Sequence, residues 1–161
     1  MQTGCVDANN GGDIMNTVKD LLAAKGSTVY TIAPAASVYE ALVLMADKEI
    51  GALVVVSGEN LVGVISERDY ARKVILRGKF SKNTPVKEIM SPAEQTVKPA
   101  HTIEECMALM TDKRLRHLPV LEEGKLAGIV SIGYLVKSII DEQKFTIKNL
   151  ENYISGSPEV K

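Results

Sequence analysis

Two stretches decide how this chain is read: Val64–Val74, VISERDYARKV, and Ile129–Ile139, IVSIGYLVKSI. Each runs from an apolar strand through a serine, Ser66 or Ser131, into a helix-forming segment. After the serine the first carries Glu67-Arg68-Asp69, and the second carries Ile132-Gly133-Tyr134. An acid three residues past a serine is a capping box. The second stretch keeps the serine and puts a tyrosine where the acid would be.

The match extends well beyond these segments. Shifting the chain by 65 positions aligns Thr31–Ile75 with Thr96–Ile140 without a gap, and 14 of the 45 positions are identical. Among them are Pro34/Pro99, Glu40/Glu105, Leu44-Met45/Leu109-Met110, Asp47-Lys48/Asp112-Lys113, Gly63/Gly128 and Ser66/Ser131. Two copies at so long a period make a duplicated unit rather than a solenoid. Each copy opens with a short β stretch, Val29–Ile32 or Thr96-Val97, followed by a proline. A helix follows, capped by Ser37-x-x-Glu40 or Thr102-x-x-Glu105. Its apolar positions, Val38, Ala41, Leu42 and Met45 or Ile103, Cys106, Met107 and Met110, lie on one stripe.

Two strands then surround a turn, Ala52–Val56 with Leu61–Ser66 and Leu118–Leu121 with Leu126–Ser131. A last helix carries Tyr70, Val74 and Ile75 in one copy and Leu135, Ile139 and Ile140 in the other. The unit is therefore β-α-β-β-α. Between the copies, Gly78–Pro92 reads as a linker with a short helix, capped by Thr84 with Pro85 at its first position. Further amphipathic helices are expected near Thr17–Ala24 and Thr146–Ile154, covering the paired units or a partner subunit.

Composition narrows the function. With 161 residues, 45% of them apolar, the chain suits one compact domain or two small units sharing a core. No window approaches a membrane span, and the polar start from Met1 to Asp13 has no apolar run of a secretory signal. That leader reads as disordered and leaves Met15 as a candidate original start. Cys5 and Cys106 make no disulfide framework, and with His101 and His117 they have no metal-ligand spacing, so a reducing cytoplasm is expected. A net charge of -1 argues against general nucleic-acid binding, so any cationic site must be local.

These features resemble a stand-alone pair of cystathionine-beta-synthase (CBS) domains. The tandem β-α-β-β-α order carries the resemblance, with Met90 near the linker's end, Arg116-His117-Leu118-Pro119-Val120 before the second hairpin, and Gly63-Val64-Ile65-Ser66-Glu67-Arg68-Asp69. It spans about Met15 to Gly156. It implies an α/β fold of the α+β type, two units packed sheet to sheet with pseudo-twofold symmetry, plus flanking N- and C-terminal helices. The expected parts are a leader (1–14), N-terminal helix and first unit (15–78), linker (79–92), second unit (93–142), and C-terminal helix and tail (143–161). The resemblance further implies clefts for adenosine compounds (AMP, ADP, ATP, NAD or S-adenosylmethionine), and assembly as a homodimer.

In that family the acid of Gly-apolar-x-Ser/Thr-x-x-Asp holds ribose hydroxyls. The first copy keeps it as Ser66 and Asp69, and the second departs at Tyr134. Judged alone, Ser66 and Asp69 read first as a plain capping box, and other features point to the ligand role. Gly63 in mid-strand admits a close neighbour such as an aromatic base. From Arg68 to Lys87 there are seven basic residues against one acid, Asp69. Solvation accounts for most of these, and Arg68 and Arg72 are placed near a ligand. Basic residues at the positions of Arg116 and His117 bind phosphate in some relatives, notably the AMP-activated kinase gamma subunit; surface charge and a strand-end histidine are the plain reading. Tyr134 can stack, donate a hydrogen bond or fill a cleft, and filling is favoured. The candidate nucleotide contacts are Ser66, Arg68, Asp69, Arg72, Thr96, Arg116, His117, Ser131 and Tyr134.

The chain shows no nucleophile-base-acid set and no G-x-x-x-x-G-K-S/T loop, so it is not expected to be an enzyme. It reads as a regulatory adenine-nucleotide sensor of energy or redox state, needing no resident cofactor and acting in trans on a regulated protein. The alternative is a dimeric scaffold whose clefts stay empty.

Overall fold

The structure, a computed structural model, describes residues 16–26 and 28–154. The expected leader, Met15 and Gly156 lie outside the described residues. The elements are α1 (Val18–Lys25), β1 (Thr31–Ile32), α2 (Val38–Lys48), β2 (Ala52–Ser57), β3 (Asn60–Ser66), α3 (Glu67–Lys73), α4 (Val86–Ile89), β4 (Ser91–Pro92), α5 (Ile103–Lys113), β5 (His117–Glu122), β6 (Lys125–Ser131) and α6 (Ile132–Ile154).

The duplicated sequence makes duplicated local structure. Ser37 Oγ accepts from the Glu40 N–H at 3.1 Å and Glu40 Oε1 accepts from the Ser37 N–H at 2.9 Å. In the second copy Thr102 and Glu105 make the same two bonds at 3.0 and 2.8 Å. Both helices end on a left-handed residue, Glu49 or Arg114, each at φ 57°. The hairpins share a register shift, between Val55 and Val56 and between Val120 and Leu121. Their turns differ. Gly58 alone supplies the positive φ in the first, whereas Glu123 and Gly124 both do in the second.

The first sheet runs β1-β2-β3-β4, and the second is the β5-β6 hairpin. Thr96-Val97, expected as a strand, reduces to one parallel bridge from Val97 to Val120, the counterpart of the Ile32–Val55 pair. Along β2, Leu53 and Val55 enter the core beneath α2. Val54, fully buried, is turned by the period-two alternation to the other face of the sheet. Leu21 and Met45 are wholly or almost wholly buried, each worth roughly 1.5–3 kcal/mol.

The helices outside the repeats are exchanged between the units. α4, from the linker, packs on the first unit: the Val86 N–H donates to the Ala36 carbonyl at 2.8 Å, and the Lys87 N–H to Pro34 at 3.0 Å. α1, which precedes the first unit, packs on the second. The Val18 and Lys19 N–H groups donate to His101 and Pro99, both at 2.9 Å. Val18, Leu21 and Leu22 sit in one core with Cys106, Met110 and Leu118. This crossed docking ties the two units into one body.

Three helix expectations change. Thr84 does not cap α4; Pro85 holds that position, and the buried Thr84 hydroxyl donates to the Phe80 carbonyl at 2.9 Å. The last helix of the first copy stops at Lys73, leaving Val74 buried as its cap and Ile75 exposed in a 3-10 turn. The helix near Thr146–Ile154 is not separate, because α6 continues through it unbroken for 23 residues. No Gly or Pro interrupts that helix after Gly133. Among the described residues no helix is long and apolar enough to cross a membrane.

Candidate functional site

β3 delivers Ser66 to the start of α3, where the expected box closes. Asp69 Oδ2 accepts from the Ser66 N–H at 2.9 Å and from its hydroxyl at 3.1 Å, while the Asp69 N–H donates to Ser66 Oγ at 3.2 Å. The other oxygen, Oδ1, pairs with Lys73 Nζ at 3.3 Å. Lys73 also donates to the Ile89 carbonyl at 3.0 Å, which ties the site to α4. The carboxylate therefore divides its oxygens between a cap and an ion pair. Its side chain is 14% exposed, so an edge still meets solvent.

That edge faces a cleft of about 480 Å³ built from both units. The first unit and β4 supply Val64, Ser66, Arg68, Asp69, Arg72, Lys73, Ser91 and Pro92; the second supplies Lys113, Arg114, Arg116, His117 and Pro119. The acid of one copy and the cations of the other, separate in sequence, line the same cavity. Six lysine and arginine side chains meet only two acids there, Asp69 and Glu94. The crowding has an electrostatic cost: Arg72, then Arg116, lowers the Arg68 pKa from its ordinary value, with Asp69 opposing. An anion entering the cleft relieves that repulsion. Burial, reinforced by Arg116, holds the His117 pKa below the ordinary histidine value, so at neutral pH the ring offers a hydrogen bond rather than a charge.

Of the nine candidates, Ser66, Arg68, Asp69, Arg72, Arg116 and His117 line this cleft. Thr96, Ser131 and Tyr134 are not among its lining residues, although Gln95, beside Thr96, is. The Ser131 hydroxyl instead caps α6 by accepting from the Tyr134 N–H at 3.2 Å. Tyr134 packs against the second core, with Lys25 Nζ 5.5 Å from its ring centre. Sequence reasoning passed over Lys73, Lys113 and Arg114 as cleft residues. The repeat held the missing signal for the last two, since a twofold axis turns the end of α5 toward α3.

Gly63 needs correction. A Cβ there would lie 2.7 Å from the Ser91 carbonyl oxygen and 2.8 Å from Met90 Sδ, so the close neighbour is the chain itself and not a ligand base. Cys106 is fully buried, and burial with Glu105 nearby pushes its thiol up to about 11. It is an unreactive core side chain. Among the described residues no group of three His, Cys, Asp or Glu could hold a metal ion.

Comparison with known proteins agrees with this architecture. The family model described as "CBS domain" matches residues 12–76 and again 86–141. A curated Arabidopsis thaliana relative, "CBS domain-containing protein CBSX3, mitochondrial", is 38% identical over 149 residues, spanning 87% of this chain and 72% of its own. A solved structure of a protein with CBS domains from Burkholderia ambifaria MC40-6 is 53% identical with a TM-score of 0.76, covering 79% of this chain and 96% of that one. A hexameric CBS-CP12 protein from bloom-forming cyanobacteria shares 28% identity at a TM-score of 0.68, covering 74% of this chain and 66% of its own.

Proposed function

The chain belongs to the CBS-domain family of regulatory modules, and from that premise we propose that it binds an adenosine nucleotide (AMP, ATP or NAD) in the Asp69 cleft and relays its occupancy to another protein. One observation carries the reading: cations from both units converge on a single cleft that also holds a carboxylate at a helix start. Arg72 and Arg116 suit phosphate, because a guanidinium fork binds it bidentately. Asp69 suits ribose through Oδ1, which pairs with Lys73 and keeps a lone pair for a hydroxyl, while Oδ2 already accepts twice from Ser66. The module performs no chemistry of its own, works as a homodimer in the cytoplasm, and acts in trans.

A second reading has its own support. Both Asp69 oxygens already have protein partners, and large apolar side chains stand exposed on α2 and α6, including Tyr39, Val43 and Ile147. A ligand-free dimeric scaffold would need no more. Calorimetry with AMP, ATP, NADH and S-adenosylmethionine separates the two. Binding of one of them, with a gain of about 2.7 kcal/mol in folding stability at 100 times its Kd, is expected. No heat and no shift in Tm at millimolar concentrations would leave the scaffold.

A further inference from the structure

Only the first part of α6 belongs to the body of the protein. Leu135 is its one buried residue, with Ile132, Tyr134 and Ile139 packed beside it, and residues 143–154 are all exposed. Yet the exposed part is not polar. Val136, Ile140, Ile147, Leu150 and Ile154 stand 40–80% exposed. Their spacing is that of a heptad, with Ile140, Ile147 and Ile154 at one core position and Val136, Gln143 and Leu150 at the other. This seam runs for about 27 Å along the helix. Period seven is the pattern of a helix that winds on another helix.

We infer that the C-terminal part of α6 pairs with α6 of a second copy as a short antiparallel coiled coil; the inference rests on the homodimer reading above. Charge selects both the occupant and the direction. In an antiparallel pair centred near Phe145, Val136 meets Ile154 of the second copy, Ile140 meets Leu150, and Gln143 meets Ile147. Flanking positions then place Lys137 opposite Glu151, twice by symmetry, and Ile139 opposite Tyr153. A parallel pair would instead set Ile139 beside Lys144 and Thr146 beside Glu151, with no opposite charges in contact. Lys137 now pairs within its own helix, with Asp141 at 3.2 Å, and can reach both acids. Gln143 in the seam and the two facing Lys144 side chains weaken the coil. It therefore acts as a clasp on a dimer and fixes the register of that dimer.

Cysteine crosslinking in the full chain tests the arrangement, in a Cys5→Ser background with Cys106 buried. Antiparallel pairing brings residue 146 close to its own copy, so Thr146→Cys is expected to form a disulfide dimer under mild oxidation. Ile147→Cys, which would meet itself only in a parallel coil, should link at least about fivefold more slowly. Sedimentation of the same variants separates the two levels of the argument. A dimer in which Ile147→Cys links faster, or in which neither variant links, overturns the coil and leaves the homodimer standing. A single-chain mass overturns both. The readout needs no nucleotide, so failure of the ligand reading does not bear on it.

Discussion

The two copies part company at the residue three places after their serine. At α3, Asp69 returns a carboxylate to the Ser66 N–H, and both halves of the capping box are made. At α6, the Tyr134 N–H donates to Ser131 Oγ but no acid answers. The helix without the acid is the longer one, 23 residues against seven, so a full box is not required to start a helix here. Packing of Leu135 and Ile139 into the second core supplies what the missing bond would have given. Asp69 borders the cleft as well as closing its box, and a helix of only two turns gains most from such a cap. The same asymmetry recurs one strand earlier, where His117 stands in the second copy and the small Ala52 in the first. The Asp69 cleft gathers polar groups from both copies, while Tyr134, at the place that matches Asp69, packs against the second core with Lys25 near its ring.

The largest contrast between the copies concerns their mid-strand glycines. At Gly63 an added Cβ meets backbone, the Ser91 carbonyl oxygen at 2.7 Å. At Gly128 it meets a side-chain end, Leu22 Cδ2 at 2.8 Å. Backbone must move in the first case and a leucine can rotate in the second. Gly63→Ala is expected to cost about 3 kcal/mol and Gly128→Ala about 1 kcal/mol, read from urea midpoints at constant slope. Equal costs would mean that β4 gives way as easily as a side chain.

This glycine shows where sequence stopped being enough. Its presence in both copies was legible, and so was the need for a close neighbour, but the neighbour's identity depended on α1 and α4 crossing between units. Nothing in local periodicity carries that exchange; it became visible only in matched hydrogen bonds such as Val86 to Ala36 and Val18 to His101. Capping boxes, hairpins and the buried stripe of α2 were readable because they are short-range and repeat at a fixed offset. The cleft was half readable. Ser66, Asp69, Arg116 and His117 stood out as chemistry, but the meeting of Asp69 with Arg116 is a product of the pseudo-twofold axis. The continuity of α6 from Ile132 to Ile154 reflects a run with no breaker after Gly133.

Next in size is Asp69→Asn, which keeps the shape and removes the charge. Hydrogen bonds to a charged group are worth roughly 1.5–3 kcal/mol each, so losing one or two with partial replacement by water should weaken adenosine binding about 10- to 100-fold. Titration calorimetry on the variant measures it. A carboxylate that served only as cap and Lys73 partner would give another signature: up to about 1 kcal/mol lost without ligand, and unchanged affinity. In the reverse direction, Tyr134→Asp should add a second, weaker site if the ring is what fills the other cleft. Two equal sites in the native chain would sink the asymmetry.

Arg116→Ala should act on one part of the ligand only. It removes a phosphate partner supplied by the second unit, so AMP affinity should fall about tenfold while adenosine barely changes. Raising salt should shrink the difference, because the cleft is open to solvent and its charges are screened. Equal losses for AMP and adenosine would take Arg116 out of the phosphate role.

The smallest expected effect is a pH dependence that belongs to one cleft. His117 has its pKa lowered in the folded protein, chiefly by burial and then by Arg116. The unfolded chain, with an ordinary histidine near 6.5, therefore takes up a proton at a pH where the folded chain still refuses it. Stability is fully present above about pH 6.5 and declines as pH falls through and below that value, because protons favour the unfolded state. His117→Ala, which installs the residue found at the matching place in the first copy, should flatten this slope near pH 6 relative to the native chain. A bound phosphate should oppose the decline, since an anion beside the ring favours its charged form. Urea midpoints measured from pH 5 to 8, with and without AMP, test both statements. An unchanged slope in His117→Ala would show that the ring meets water as readily folded as unfolded, and the chemical difference between the clefts would then reduce to Asp69 and its cations.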